Sequence, residues 1–230
     1  MTKDPVAELT GAALLSAAYE DVLTAISTES ELSALRAARG EWDANRGRVY
    51  EDEDLWELWT QAFLEWYAVE RVGSGQQYPP AARLIPAAAA RMADALRAWM
   101  RSHRTLLEIT AISGDQVWAT DLLGGAELCI LEKRTLHGVD GGEIVEVRVV
   151  AFDKDVHFGR SMCFHPQGTR DAIVALARRM MDDGSTRRDV MDFCGKLRLR
   201  SERYGHMPAI KVYETTRPED IDESLMRGRR

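Results

Sequence analysis

The feature that most constrains the fold is a change of hydrophobic period near residue 104 and a second change after residue 165. Before residue 104, apolar side chains recur every three or four residues, which is typical of amphipathic helices. Between 104 and 165, short apolar runs alternate with polar residues and are separated by glycine and aspartate turns, which is typical of strands. The helical period then returns. This order predicts an α+β protein.

We predict an N-terminal helical layer, a small antiparallel five-stranded sheet or barrel, and a C-terminal helical pair. The predicted boundaries are 1–103 for the helical region, 104–165 for a barrel or rolled sheet, 166–205 for the helical pair and 206–230 for an irregular tail. Strands joined by short turns indicate a meander that closes on itself. Because so short a β segment is only marginally stable alone, we expect it to pack on the helices within one continuous domain.

The helix with the strongest pattern follows the acidic run at residues 51–54. Its aromatic residues recur at steps of three and four and form one broad face: Trp56, Trp59, Phe63, Trp66 and Tyr67. Before it, we predict a short helix that stops at Gly40 and a loop over residues 41–51. After it, we predict a long helix from about residue 81 to 103, which begins only at Pro86 if the proline sets its first turn.

Composition narrows the class of function. The net charge is −7 and the isoelectric point about 5.4, which argues against nonspecific binding to nucleic acid or anionic membrane. No apolar run approaches the roughly 20 residues of a membrane span, and the N-terminus lacks the apolar core of a secretory signal. Three cysteines without a C-x-x-C pair predict free thiols and a cytoplasmic location. The 25 arginines against 5 lysines suggest GC-rich bacterial coding.

Cys163 and His165 are two residues apart and so share one face of a predicted strand, with His157 nearby in sequence. A zinc site needs about four ligands, usually in recognisable pairs, and a second pair is missing. We therefore predict no metal and no cofactor. The same three residues are the candidates if the protein is an undescribed hydrolase. No nucleophile elbow and no phosphate-binding glycine loop accompanies them, so an enzyme is the less favoured interpretation.

A DNA-binding regulator is the first alternative, because residues 170–204 have the pattern of a helix-turn-helix. One predicted helix ends near Asp183, Gly184 makes the turn, and Ser185 or Thr186 caps the next helix. Basic side chains of the second helix would then contact the DNA: Arg187, Arg188, Lys196, Arg198, Arg200 and Arg203. Four aspartates in the same segment weaken this positive field, so a plain helical pair is favoured.

The predicted barrel is a second candidate surface for nucleic acid, because OB-type barrels bind oligonucleotides. Single-stranded nucleic acid is held by aromatic side chains interleaved with basic ones. Apart from Trp118, the predicted strands lack such residues, and a base-stacking platform is not favoured.

The leading interpretation is a non-catalytic cytoplasmic protein that binds another protein, in an interaction or regulatory role. The predicted aromatic helix carries more tryptophans than one face of a small core requires, and tryptophan and tyrosine are favoured interface anchors. We predict Trp42, Tyr50, Trp56 and Trp59 as the protein-binding residues. The alternative is that every tryptophan belongs to the core.

Charge asymmetry gives this interpretation further support. Residues 1–80 carry 6 basic and 15 acidic side chains, whereas residues 166–230 carry 14 and 11. The two ends of the chain are therefore suited to different partners, unless the charges form only a mixed solvated surface.

Four short motifs occur in order between Trp56 and about His165. They are Trp56-Glu57-Leu58-Trp59, Ser102-His103-Arg104-Thr105-Leu106-Leu107-Glu108-Ile109, Asp121-Leu122-Leu123-Gly124-Gly125 and Glu132-Lys133-Arg134. Together they resemble a family of uncharacterised bacterial sequences, some of which continue into a SEC-C metal-binding motif. The clustered cysteine ligands of that motif are absent here. The resemblance therefore implies an aromatic helix followed by strands, and it implies neither zinc nor an activity.

Overall fold

The computed structural model describes residues 9, 11–136 and 138–221. Within them, eight α-helices and five strands follow the predicted order of helices, strands and helices. The helices are α1 (Gly11–Ile26), α2 (Leu32–Arg46), α3 (Trp56–Val69), α4 (Pro80–Leu84), α5 (Ala90–Arg101), α6 (Arg170–Asp182), α7 (Arg187–Arg203) and α8 (Ala209–Thr215). The strands are β1 (His103–Ser113), β2 (Gln116–Asp121), β3 (Glu127–Leu131), β4 (Ile144–Phe152) and β5 (Asp155–Phe164). The α+β class, the helical layer, the five-stranded barrel and the C-terminal helical pair are confirmed.

The strands close into a barrel in the order β1-β2-β3-β5-β4. Four pairings are antiparallel, and a parallel contact between Ile130 of β3 and Val156 of β5 closes the barrel. A simple meander would place β4 beside β3, so the meander prediction is wrong at this connection. The reason lies in β1, whose 11 residues pair with β4 along the first half and with β2 along the second.

Helices cover much of the barrel wall. Helix α3 packs on β5, α5 packs on β4, and α7 packs on β1. The aromatic face of α3 meets α2, where the Trp42 and Trp66 ring centroids are 5.5 Å apart. No described helix combines the length and the apolar character that crossing a membrane requires.

The boundaries of two predicted helices are wrong. Helix α2 continues through Gly40 and ends at Arg46, and it is followed by Gly47, whose φ of 93° lies in the left-handed region that favours glycine. Residues 41–46, predicted as loop, are therefore helical. The predicted long helix is divided, because a 3-10 turn at Ile85–Ala87 separates α4 from α5. That turn contains Pro86, which has no N–H for a helical hydrogen bond.

The tail prediction is wrong for residues 209–215, which form α8. Its Val212 and Tyr213 side chains are buried against the C-terminal core, and helix α8 packs on both α6 and α7. Burial of these two side chains stabilises a helix that its short apolar pattern does not predict. The predicted irregular residues 222–230 lie outside the described residues.

Candidate functional site

Two of the four predicted protein-binding residues are in the core. Trp42 is 2% exposed and Trp59 is 1% exposed. The Trp42 ring packs against Phe63 and Trp66, and the Trp59 indole N–H donates to the carbonyl of Gly47 at 3.0 Å. Trp42 and Trp59 therefore cannot anchor a partner on the folded protein, and their assignment is wrong. The physical reason is that both lie on helix faces directed at the interior.

Tyr50 and Trp56 are half-buried at the surface between α2 and α3. The guanidinium of Arg48 lies 4.7 Å from the Tyr50 ring centroid, and that of Arg39 lies 5.2 Å from the Trp56 ring. Each aromatic face is thus already in contact with a cation of the same chain. Their role in protein binding stays a prediction.

A connected group of charged side chains lies between the helices and the barrel. We call it the ion cluster, and its members are Arg46, Glu65, Glu70, Arg104, Glu146, Arg148 and Asp192. They come from α2, α3, β1, β4 and α7, with Glu70 directly after α3. Sequence analysis missed this cluster, because each residue taken singly has the pattern of a solvated charge.

Arg46 is the centre of one half of the ion cluster. Its guanidinium contacts Glu146 at 2.7 Å and Asp192 at 3.1 Å, and it donates to the carbonyl of Met191 at 3.1 Å. Arg104 contacts the same two carboxylates at 3.2 and 3.3 Å. Burial lowers the pKa of Arg104, and the neighbouring Arg46 charge lowers it further. Two carboxylates are therefore shared between two buried guanidinium groups.

Arg148 is the centre of the other half. It contacts Glu70 and Glu65, and it donates to the Ser102 hydroxyl at 3.1 Å. Burial raises the pKa of Glu65 above its usual range, although Arg148 and the N–H groups of Arg160 and Ser161 oppose the shift. Burial also acts on Glu70, but Arg148 and Arg104 outweigh it and hold the pKa of that carboxyl below its usual range.

The ion cluster is structural rather than catalytic. The side chains of Arg46, Arg104, Glu146 and Arg148 are between 0% and 5% exposed, so no substrate reaches them in the folded protein. Buried charges persist when they are paired and hydrogen-bonded, as they are here. Because the cluster joins both helical regions to the barrel, it fixes their relative positions.

The candidate hydrolase residues do not form an active centre. Burial raises the pKa of the Cys163 thiol to about 12, and Glu146 adds to the shift. Burial lowers the pKa of His165 to about 3, and its ring shares a 2.7 Å hydrogen bond with the Tyr213 hydroxyl. A thiol that stays protonated is a poor nucleophile, and so weak an imidazole is a poor base. Among the described residues, no three His, Cys, Asp or Glu side chains are grouped to hold a metal.

We expect one of the three cysteines to react rapidly in the native protein. Cys129 is exposed, whereas Cys163 and Cys194 are buried and burial raises the pKa of each to about 12. Titration with Ellman's reagent at pH 8 should release one equivalent quickly and three equivalents in denaturant. The Cys129→Ser variant should lose the fast phase. A second fast equivalent in that variant would contradict the burial of Cys163 and Cys194.

The predicted DNA-binding residues do not form a free basic stripe. Ion pairs join Arg187 to Asp121 at 2.6 Å, Arg188 to Asp192 at 3.6 Å, Arg198 to Glu202 at 2.5 Å and Arg203 to Glu53 at 2.7 Å. Arg200 donates to the carbonyl of Asp220, and Lys196 is half-buried with its pKa lowered by desolvation. Five of the six side chains thus already have partners within the chain. Their geometry does not favour phosphate binding, which needs cations free to face the DNA.

The outer face of β1, β2 and β3 is an exposed surface with a different character. It forms a shallow depression of about 510 Å³, which we call the Trp118 face: Thr110, Ala111, Trp118, Ala119, Thr120, Glu127, Leu128 and Cys129. Trp118 is 36% exposed and pairs in register with Ala111 on one side and Cys129 on the other. Glu127 is the one charged residue of this lining.

In the sequence alone, Trp118 stands out only as an isolated residue suited to base stacking. The signal that identifies it as a surface residue is the alternation within β2. Val117 and Ala119 are apolar and buried in the barrel, so the residue between them must point outward. A tryptophan at that outward position marks a surface suited to a ligand or a partner.

A second cleft lies where α1, α3 and α5 meet the barrel. It contains His157, the remaining hydrolase candidate, and its volume is about 580 Å³. Cys163 and His165 are not part of its lining. The structure therefore separates the three candidate residues, and this cleft has no thiol nucleophile.

No family model, no curated protein and no solved structure matches this chain.

Proposed function

We propose that this is a non-catalytic cytoplasmic protein of interaction or regulatory type, and that it binds another protein through the Trp118 face. The observation that carries the proposal is the solvent exposure of Trp118 on an apolar strand surface. Large aromatic side chains contribute most of the binding energy at many protein interfaces. The proposal keeps the predicted class of function and moves its site away from Trp42 and Trp59.

The charge of the Trp118 face favours a protein partner over nucleic acid. Its lining contains one carboxylate, Glu127, and neither lysine nor arginine. Nucleic-acid surfaces need cations that neutralise phosphates, and the affinity of such surfaces depends on them. A mostly apolar surface with two threonines and one acid suits the neutral or mildly basic surface of another protein.

The barrel itself offers an analogy of fold. Small five-stranded barrels of the OB type bind their ligands on the outer face of the second and third strands. Trp118 lies on the second strand here and Cys129 on the third. The analogy concerns architecture alone, and it supports the choice of face rather than the identity of a ligand.

The conditions inside the cytoplasm agree with this assignment. Cys129 is exposed and free on the Trp118 face, and Cys163 and Cys194 are free as well. A reducing compartment keeps such thiols unpaired. In the cytoplasm, the exposed Cys129 beside Trp118 would therefore stay a free thiol.

The test is affinity purification of the tagged full chain from its native cytoplasm, with and without nuclease, followed by quantitative mass spectrometry. We compare the wild type with Trp118→Ser and with the control Tyr78→Ser, since Tyr78 is an aromatic residue 62% exposed elsewhere on the surface. A partner of this face should survive nuclease, lose at least ten-fold in yield with Trp118→Ser, and remain with Tyr78→Ser.

Two results would overturn the proposal. Partners that disappear on nuclease treatment would indicate nucleic acid as the ligand. Partners recovered equally by Trp118→Ser and the wild type would place the interface elsewhere, with Tyr50 and Trp56 as the next residues to replace. Both serine variants should keep the thermal midpoint of the wild type to within a few degrees, because both side chains are at the surface.

A further inference from the structure

The cleft between the N-terminal helices and the barrel has the features of a small-molecule site, and the proposed protein binding does not use it. We call it the junction cleft. Its lining comes from α1 (Ala12, Leu15 and Ser16), α3 (Gln61), α5 (Trp99), the end of β3 and the residues after it (131–134), and β5 (157–160). Its volume of about 580 Å³ falls within the usual range of ligand sites, roughly 300–1,000 Å³.

One wall of the junction cleft is apolar and rigid. Leu15, Trp99 and Phe158 line this wall, and each is otherwise packed into the protein, so their positions are fixed before a ligand enters. The Trp99 indole N–H donates to the carbonyl of Leu15 at 2.9 Å, and its ring stacks on Tyr19 with centroids 4.9 Å apart. A fixed indole beside aliphatic side chains suits the apolar body of an organic molecule.

Two buried polar atoms in the lining residues have no hydrogen-bond partner among the residues that the structure describes. They are the Nε2 of His157 and the Oε1 of Gln61. The His157 side chain belongs to a residue only 5% exposed. A buried polar group without a partner costs about 1–3 kcal/mol, so native proteins keep few of them without a reason. A ligand with hydrogen-bonding groups would supply the missing partners.

The rim of the junction cleft carries an excess of positive charge. Lys133, Arg134 and Arg160 line it together with one carboxylate, Glu132. Arg134 forms a two-pronged ion pair with Glu132, at 2.6 and 2.9 Å. Arg160 pairs with Glu20 at 2.5 Å. Lys133 is exposed and forms no ion pair with a described residue, so its charge is available to a ligand.

We infer that the junction cleft binds a small organic anion with an apolar body. The body packs on Leu15, Trp99 and Phe158, its polar groups bond to His157 and Gln61, and its negative group pairs with Lys133. Such a ligand contacts α1, α3 and β5 at once, and binding stabilises the attachment of α1 to the barrel.

The probes are two dyes with nearly the same aromatic body. Anilinonaphthalene sulfonate is an anion, and N-phenyl-1-naphthylamine is its neutral counterpart. Both are titrated into the folded full-length protein, and dye fluorescence reports the stoichiometry and Kd. We expect one saturable site for the anion and about five-fold weaker anion binding in Lys133→Gln, with unchanged binding of the neutral dye.

Matched variants locate the site. Ala12→Phe fills the junction cleft and should abolish binding of both dyes, whereas Ala13→Phe, at the exposed next position of α1, should leave both unchanged. Gln61→Met and His157→Phe should weaken binding several-fold without lowering the thermal midpoint, because each removes an unpartnered polar atom. If these two residues had a purely structural role, the variants would lower the thermal midpoint and leave the Kd of the dyes unchanged.

Three results would overturn the inference. They are dye binding that does not saturate, binding unaffected by Ala12→Phe, and Gln61→Met or His157→Phe that destabilises the protein without changing the Kd. Because the Trp118 face and the junction cleft share no lining residue, loss of partner binding in Trp118→Ser tests the proposed function and leaves dye binding intact. The two proposals can therefore fail separately.

Discussion

Replacing Arg46 with methionine is expected to lower the free energy of unfolding by about 3 kcal/mol. The substitution removes the guanidinium that contacts Glu146 at 2.7 Å and Asp192 at 3.1 Å in a site 1% exposed. Removing one partner of a buried ion pair typically costs about 3–5 kcal/mol, because a buried charge is left uncompensated. We expect the lower end of this range, since Arg104 still contacts both carboxylates.

The measurement is urea denaturation at pH 7, with Arg97→Met as the matched control. Arg97 pairs with Asp94 at 2.9 Å, but both side chains are about half exposed, so its loss should change stability by less than about 1 kcal/mol. A double-mutant cycle with Glu146→Gln should show coupling to Arg46 of roughly 1–3 kcal/mol. Equal effects of Arg46→Met and Arg97→Met would contradict the burial of the ion cluster.

The architecture was predictable because hydrophobic period is a local property. The change of period near residue 104 and its return after residue 165 mark the barrel and both helical regions. Strand order was less predictable, since β1 pairs on both sides and only the closed structure shows which strand lies beside it. The end of α2 was also ambiguous, because either Gly40 or Gly47 could stop the helix. Only Gly47 has the positive φ that ends it, and the sequence does not show that difference.

The candidate sites likewise divide into those that local sequence predicts and those that form only by tertiary packing. Trp118 was within reach of sequence reasoning, because the alternation of β2 directs it outward. The ion cluster was not, since Arg46 and Glu146 are 100 residues apart and meet only through tertiary packing. The junction cleft was not either, because its lining comes from three helices and two strands. Sites built from one element can be predicted from the chain, whereas sites built from several cannot.

The burial of Trp42 shows how a local helix boundary and the tertiary packing together decide whether a residue is at the surface. An aromatic residue in a predicted loop suggested a surface anchor, but α2 continues past Gly40 and carries Trp42 inward. There its ring lies about 5 Å from the guanidinium groups of both Arg46 and Arg104. The tryptophan therefore covers the buried charges and separates them from water. A helix boundary placed too early in the chain therefore predicts a binding residue where the structure has a core residue.

The second large effect is expected at Gly195 in α7, where alanine should lower the free energy of unfolding by about 2–3 kcal/mol. A Cβ atom there would lie 2.6 Å from Nη2 and 2.7 Å from Cζ of Arg46. The guanidinium cannot move aside, because Glu146, Asp192 and the carbonyl of Met191 hold it. Overpacking of this kind costs about 1–3 kcal/mol, and displacement of the ion pairs adds to it.

Gly40→Ala in α2 is the matched control, because it should change stability in the opposite direction to Gly195→Ala. A Cβ atom at Gly40 meets nothing within 4 Å, and the position is exposed within the helix. Alanine there should raise the free energy of unfolding by about 0.5–1 kcal/mol, because glycine is the poorer helix former. Helix propensity alone predicts stabilisation at both glycines, so opposite signs in urea denaturation isolate the contact with Arg46. Stabilisation by Gly195→Ala would mean that Arg46 does not lie against α7.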